Sequence, residues 1–87
     1  MNLSPSEGSI VLSKRGRDKG RAFVVISVDV TGEYLNLADG RTRMIVKPKK
    51  KKIKHVQPTN HTVGLIPPDG RDLQDADIRK ALAAAGF

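Results

Sequence analysis

The sequence predicts a mainly β protein: a small barrel of about five short strands, followed by a single C-terminal helix. Three observations carry that prediction. Short apolar runs alternate with Gly- and Pro-marked turns across residues 1–58. A polar stretch rich in Pro and Gly follows over residues 59–72, and helical spacing is confined to residues 73–86. The whole chain has 87 residues, enough for one small domain that buries only roughly 60% of its unfolded surface. A deep catalytic cleft does not fit in such a domain, and no nucleophile–base–acid set stands out, so no enzyme activity and no cofactor are expected.

Each element has its own signature. Ser9, Ile10, Val11, Leu12 and Ser13 form an apolar run that starts beside Gly8 and reads as a strand. Residues 14–21 form a basic loop punctuated by Gly16 and Gly20. Residues 22–30 make the strongest strand. Ala22, Val24, Ile26, Val28 and Val30 alternate onto one face, and Phe23 and Val25 lie on the other at one end only. A strand that is two-sided at its start suits a strong bend in a small barrel. Thr31-Gly32 turns the chain into a strand over residues 33–38.

Asp39-Gly40 then signals a two-residue type I′ hairpin. That register sets Ala38 opposite Arg41, Leu37 opposite Thr42, Asn36 opposite Arg43, Leu35 opposite Met44 and Tyr34 opposite Ile45. Leu35, Leu37, Met44 and Val46 become a core face, while Tyr34 shares the other with Arg41 and Arg43. Pro48 stops the strand. Ile53 and Val56 stand at the spacing of one tight helical turn, and residues 55–57 read as a short closing strand before Pro58. The loop after it includes Pro67-Pro68-Asp69-Gly70. In the final helix Gln74 is the N-cap position, with Asp75 and Asp77 in the first turn. Leu73 is spaced to pack on Ile78, and Ile78, Leu82 and Ala85 share a face that ends at Gly86. A helix this short needs a surface to dock on, either the barrel or a partner.

The charge is strongly uneven. The chain carries 16 Lys+Arg against 9 Asp+Glu, a formal net charge of +7. Residues 14–54 hold 13 of those basic side chains and four acids (Asp18, Asp29, Glu33, Asp39), a local balance of +9. Charges this dense call for an anionic partner, foremost nucleic acid. Cysteine is absent, which excludes a disulfide scaffold and a thiolate zinc site and suits the cytoplasm. No apolar run approaches the ~18 residues of a membrane span, and Met1-Asn2-Leu3-Ser4-Pro5 has no signal-peptide core. No membrane partner is expected; a lysine run can attach to anionic lipid, but here no lipidation motif accompanies it.

The binding candidates fall in three clusters: Lys14, Arg15, Gly16, Arg17, Lys19, Gly20 and Arg21; then Arg41 and Arg43; then Lys47, Lys49, Lys50, Lys51, Lys52 and Lys54. The glycines let backbone N–H groups approach phosphate oxygens. The arginines can grip one phosphate with two bonds. Asp18, an acid within the first cluster, is expected to order the loop through backbone N–H groups or a neighbouring Arg. Aromatic residues are few (Phe23, Tyr34, Phe87), and Phe23 is expected in the core, so unpaired bases have no stacking platform. Tyr34 is the single stacking candidate.

The stretch from Gly8 to Ile26, with its apolar strand, basic loop closed by Lys19-Gly20 and second strand from Phe23, resembles a KOW motif. Ala38-Asp39-Gly40-Arg41, the run from Lys47-Pro48-Lys49 to Gln57, and the closing stretch from Asp75 to Leu82 are similar to the large-subunit ribosomal protein L-fourteen-e family and its bacterial KOW relatives. The resemblance implies a five-stranded SH3-like barrel that binds RNA, most of all ribosomal RNA, in a ribosomal or ribosome-associated setting. Recognition of structured RNA then rests on phosphate charge and helix shape. The alternative is a protein-interaction module that contacts ribosomal or transcription proteins through the barrel rim and terminal helix. His55 and His61 lack partners for a metal site. Residues 16–20 lack the length and terminal Lys-Ser/Thr pair of a P-loop, and the Asn60-His61-Thr62 sequon is read as chance.

Overall fold

The computed structural model describes residues 5–67 and 69–87; residues 1–4, part of the stretch read as having no signal-peptide core, and Pro68 of the Pro-Pro turn lie outside them. Strands β1 (Ser9–Ser13), β2 (Ala22–Val28), β3 (Tyr34–Ala38), β4 (Lys49–Lys52) and β5 (Val56–Thr62) form one antiparallel sheet in the order β4-β3-β2-β1-β5. A 3-10 turn over Ile53–His55 joins β4 to β5, and helix α1 (Asp75–Ala84) follows. The sheet is open, because β4 and β5 are its edges and share no ladder. Only three residues join those edges, a rise of about 6 Å, so the sheet has to curl until they approach each other.

The curl buries one face inside the sheet. Val11, Phe23, Val25, Leu35, Leu37 and Val56 fill it, with Val28 and Ile53 at its margin. The outer face of β1 and β2 presents Ile10 and Val24 to Ile78 and Leu82 of α1, with Ala22, Ile26, Leu73 and Ala85 around them. Strand β2 feeds both clusters, and its alternation is interrupted. Val25 pairs with Leu37 and Ser27 with Asn36, which leaves Ile26 as the extra residue of a β-bulge. The bulge moves Val28 from the expected face, with Val24 and Ile26, to the inner one. Beyond it the strand ends, and Val30 is fully exposed.

The largest correction concerns residues 39–47. Gly40 has φ +75° but Asp39 does not share the left-handed region, so the type I′ hairpin does not form. The Asp39 carboxylate instead accepts the backbone N–H groups of Arg41, Thr42 and Arg43 at 2.8–2.9 Å and the Thr42 hydroxyl at 2.8 Å. Asp39 and Gly40 in turn donate to the Arg43 carbonyl. This closed loop uses the backbone groups a ladder would need. Residues 41–47 are therefore no strand, Val46 is 92% exposed, and Met44 is exposed too. Sequence pattern places no strand on the lysine run, yet β4 fills the vacant place beside β3, with Tyr34 opposite Lys52, Leu35 opposite Lys51, Asn36 opposite Lys50 and Leu37 opposite Lys49.

Strand β5 runs through Pro58 to Thr62, further than expected, because an edge strand tolerates a residue without an N–H. Helix α1 follows its expectation closely. The Asp77 carboxylate accepts the Gln74 N–H at 2.8 Å and two bonds from Arg71 at 2.7 Å. At the other end, Gly86 has φ +90°; its N–H reaches the Ala83 carbonyl and that of Phe87 reaches Leu82, a Schellman closure. The 12.0 Å radius of gyration matches the ~12 Å of a compact chain of this length, so the helix is docked, not splayed.

Candidate nucleic-acid interface

A strand turns successive side chains to opposite faces, and this divides the lysine run in two. Lys49 and Lys51 face the 14–21 loop and converge on Asp18. Lys51 Nζ donates to Asp18 Oδ1 at 2.9 Å and to the Arg15 carbonyl at 2.7 Å. Lys49 Nζ lies 2.8 Å from Oδ2, an ion pair whose angle falls short of a hydrogen bond. The Ser13 hydroxyl donates to Oδ1 at 2.7 Å. Asp18 and Lys51 are each only 8% exposed. Burial opposes ionisation of Asp18, but the close Lys49 ammonium and the bonds from Lys51 and Ser13 outweigh it and hold its carboxyl well below the usual carboxylate range. Asp18 thus orders the loop, but its partners are two lysines and a serine, where backbone N–H groups or a neighbouring arginine are expected from sequence.

The loop itself is a tight excursion between β1 and β2. Gly16 and Gly20 both have φ +88°, a region that L side chains rarely adopt. Gly20 donates to the Ser13 carbonyl, Ser13 to that of Arg21, and Arg21 to that of Asp18. Lys14 donates to the His55 carbonyl, which ties the loop to the 3-10 turn.

Lys50 and Lys52 take the outer face of β4 beside Tyr34. Their ammonium groups stand 4.8 and 5.8 Å from the centre of its ring, within cation–π range. Tyr34 is half-buried and its basic neighbours are these lysines, not Arg41 and Arg43 as the hairpin register implies. Arg15, Gly16 and His55 border the same shallow depression, which also reaches Lys49. Burial and the positive charges of Arg15, Lys54, Lys52 and Lys51 push the His55 imidazole below its ordinary value. His55 reports a positive field at that spot.

The remaining candidates are dispersed around this core. Arg17, Arg21, Arg43 and Lys49 meet in a second depression between the 14–21 and 39–47 loops, also bordered by Asp18, Phe23 and Thr42. Arg41 is exposed on a groove toward α1, near Gly20 and Arg21. Lys14, Lys19, Lys47 and Lys54 are exposed. Lys51 alone among the candidates is buried, so it supports the loop and does not meet a ligand. Ser13 and Thr42 are participants that the sequence pattern does not single out, since a lone hydroxyl carries no spacing signal. Among the described residues no His, Asp or Glu cluster is placed to hold a metal ion, and no helix is long and apolar enough to cross a membrane. Comparison of the chain with protein-family models and with curated proteins gives no match.

Proposed function

We propose that this protein binds structured RNA through its phosphates, as a ribosomal or ribosome-associated component, on a five-stranded SH3-like barrel of KOW type. The observation that carries the proposal is the state of the basic residues. Of the 13 between residues 14 and 54, only Lys49 and Lys51 pair with a carboxylate among the described residues, and both share Asp18. The others keep their charge available, and two depressions that meet at Lys49 gather those from the loop, the 39–47 segment and β4. The strand–basic loop–strand unit of β1 and β2 supports the KOW type, and the short link between the edge strands supports a barrel. Scarcity of exposed aromatic rings favours a folded RNA over single strands.

The test is affinity for a folded ribosomal RNA fragment as a function of salt. If about six phosphates are neutralised, log K falls with log salt at a slope of roughly −4 to −5, and replacing Lys50 and Lys52 by Ala reduces the slope by about 1 to 2. Affinity independent of salt would sink the proposal. A second reading, a protein-interaction module, draws on the exposed Val46 and Phe87 near the 39–47 loop and the helix end. Capture of a partner that survives nuclease and high salt would favour it.

A further inference from the structure

Arg17 and Arg21 belong to one loop and Arg43 to another, 22 positions beyond Arg21 in sequence. The fold brings them to a single cleft of about 270 Å³ between those loops, lined also by Lys49, Thr42 and buried Phe23. This volume lies below the ~300–1,000 Å³ of typical small-molecule sites, which suits one small group better than a metabolite.

The charge of the cleft is largely uncommitted. The guanidiniums that the fold uses are those of Arg71, on Asp69 and Asp77, and Arg79, on the Gly40 carbonyl. Those of Arg17, Arg21 and Arg43 enter no hydrogen bond or ion pair among the described residues. Asp18 borders the cleft, but its oxygens already face Ser13, Lys51 and Lys49. Four cations (Arg17, Arg21, Arg43, Lys49) against that carboxylate leave the lining a net charge of +3. Like charges so close repel, and an anion between them relieves the repulsion.

The backbones that carry these arginines are fixed before any ligand arrives. Arg21 is held by bonds to Ser13 and Asp18. Arg43 donates its N–H to Asp39 Oδ1 at 2.8 Å and accepts two bonds at its carbonyl. Lys19 closes the turn that carries Arg17 with a bond to the Gly16 carbonyl. Guanidiniums in such a cluster present paired N–H donors that match the oxygens of a phosphate.

We propose that the cleft between the 14–21 and 39–47 loops is a phosphate-binding subsite, in which Arg17, Arg21 and Arg43 together seat one phosphate. That the phosphate belongs to an RNA backbone rests on the function proposed above; the subsite itself does not. Two arms test it. In the first, the arginine Nε–H resonances of the intact protein are followed by NMR during titration with inorganic phosphate, with chloride at matched ionic strength as the control. Saturable shifts at Arg17, Arg21 and Arg43, absent at Arg71 and lost in the Arg43→Gln variant, are expected. Equal, non-saturating shifts at all arginines would overturn the subsite.

In the second arm the Arg17→Gln/Arg43→Gln variant is titrated with the folded RNA fragment. A salt slope lowered by about 1 is expected if the seated phosphate is an RNA phosphodiester. An unchanged slope alongside a positive first arm would assign the subsite to free phosphate and refute its role in RNA binding. All three arginines are exposed, and an unchanged melting temperature verifies that the variants fold.

Discussion

Asp18 is the residue on which the basic surface depends. One carboxylate holds two lysines of β4, which lie 31 and 33 positions away, against a loop that would otherwise repel them. Replacing it by Asn keeps the shape and removes the charge, so Lys51 stays buried without a counter-ion. Breaking such a buried pair costs about 3 kcal/mol, seen as a lower urea midpoint; the Asp18→Asn/Lys51→Met double variant recovers most of the loss. The pH profile follows from linkage. The folded-state value of Asp18 is depressed, so its contribution is present above the unfolded value near 3.8 and is lost as pH falls below it. The Asn variant accordingly has a flatter acid limb below about pH 4.

The same scale explains why Tyr34 was legible as a surface aromatic while its neighbours were not. Its place on an alternating strand follows from local pattern. The identity of the strand beside it depends on which of two segments wins the edge of β3.

The 39–47 segment shows how elements compete. Asp39-Gly40 has the composition of a hairpin turn, but the Asp39 carboxylate reaches three successive N–H groups and folds the segment into a loop. The loop then docks on α1: Arg79 donates to the Gly40 carbonyl at 2.6 Å, and the Ile45 N–H donates to Asp75 Oδ1 at 2.8 Å. Gly40 faces the helix so closely that a Cβ there would collide with the Asp75 carbonyl and meet Arg79 Cγ at 2.9 Å. Gly40→Ala combines that collision with a left-handed φ and is expected to cost about 3 kcal/mol, a fall in melting temperature of roughly 10–20 °C. Gly32 has the same φ of +75° but open space around it. Gly32→Ala is expected to cost only about 1–2 kcal/mol. Equal losses in thermal unfolding would show that the loop–helix contact is unimportant.

Across the whole molecule, charge and fold oppose each other, and the anion proposed above would reconcile them. His55 makes this measurable. Burial and the cations Arg15, Lys54, Lys52 and Lys51 lower its pKa, so in the free protein the unfolded state takes up its proton first and stability declines as pH falls below about 6.5. In the proposed RNA complex, phosphates beside those cations would offset their repulsion and raise the His55 pKa, so that binding would take up a proton. RNA affinity is therefore expected to increase as pH is lowered from 7.5 to about 5.5, and His55→Gln to flatten that dependence. An unchanged pH dependence in the variant would remove His55 from the interface.

What the sequence by itself determined is whatever depends on residues a few positions apart. Strands β1, β2 and β3, the 3-10 turn, the positive φ of Gly16 and Gly20, and both ends of α1 all follow from alternation, from glycine and from the spacing of Gln74, Asp77 and Ile78. So does the location of the charge in one half of the chain. Tertiary structure alone decided the rest. The bulge at Ile26 moves Val28 inward because β3 must keep its register. The lysine run becomes a strand because Asp18 neutralises alternate members of it, which makes burial of Lys51 tolerable. Arg17, Arg21 and Arg43 share a cleft because two loops lie side by side. In each case the deciding free energy is a contact between residues distant in sequence, and local pattern carries no trace of it.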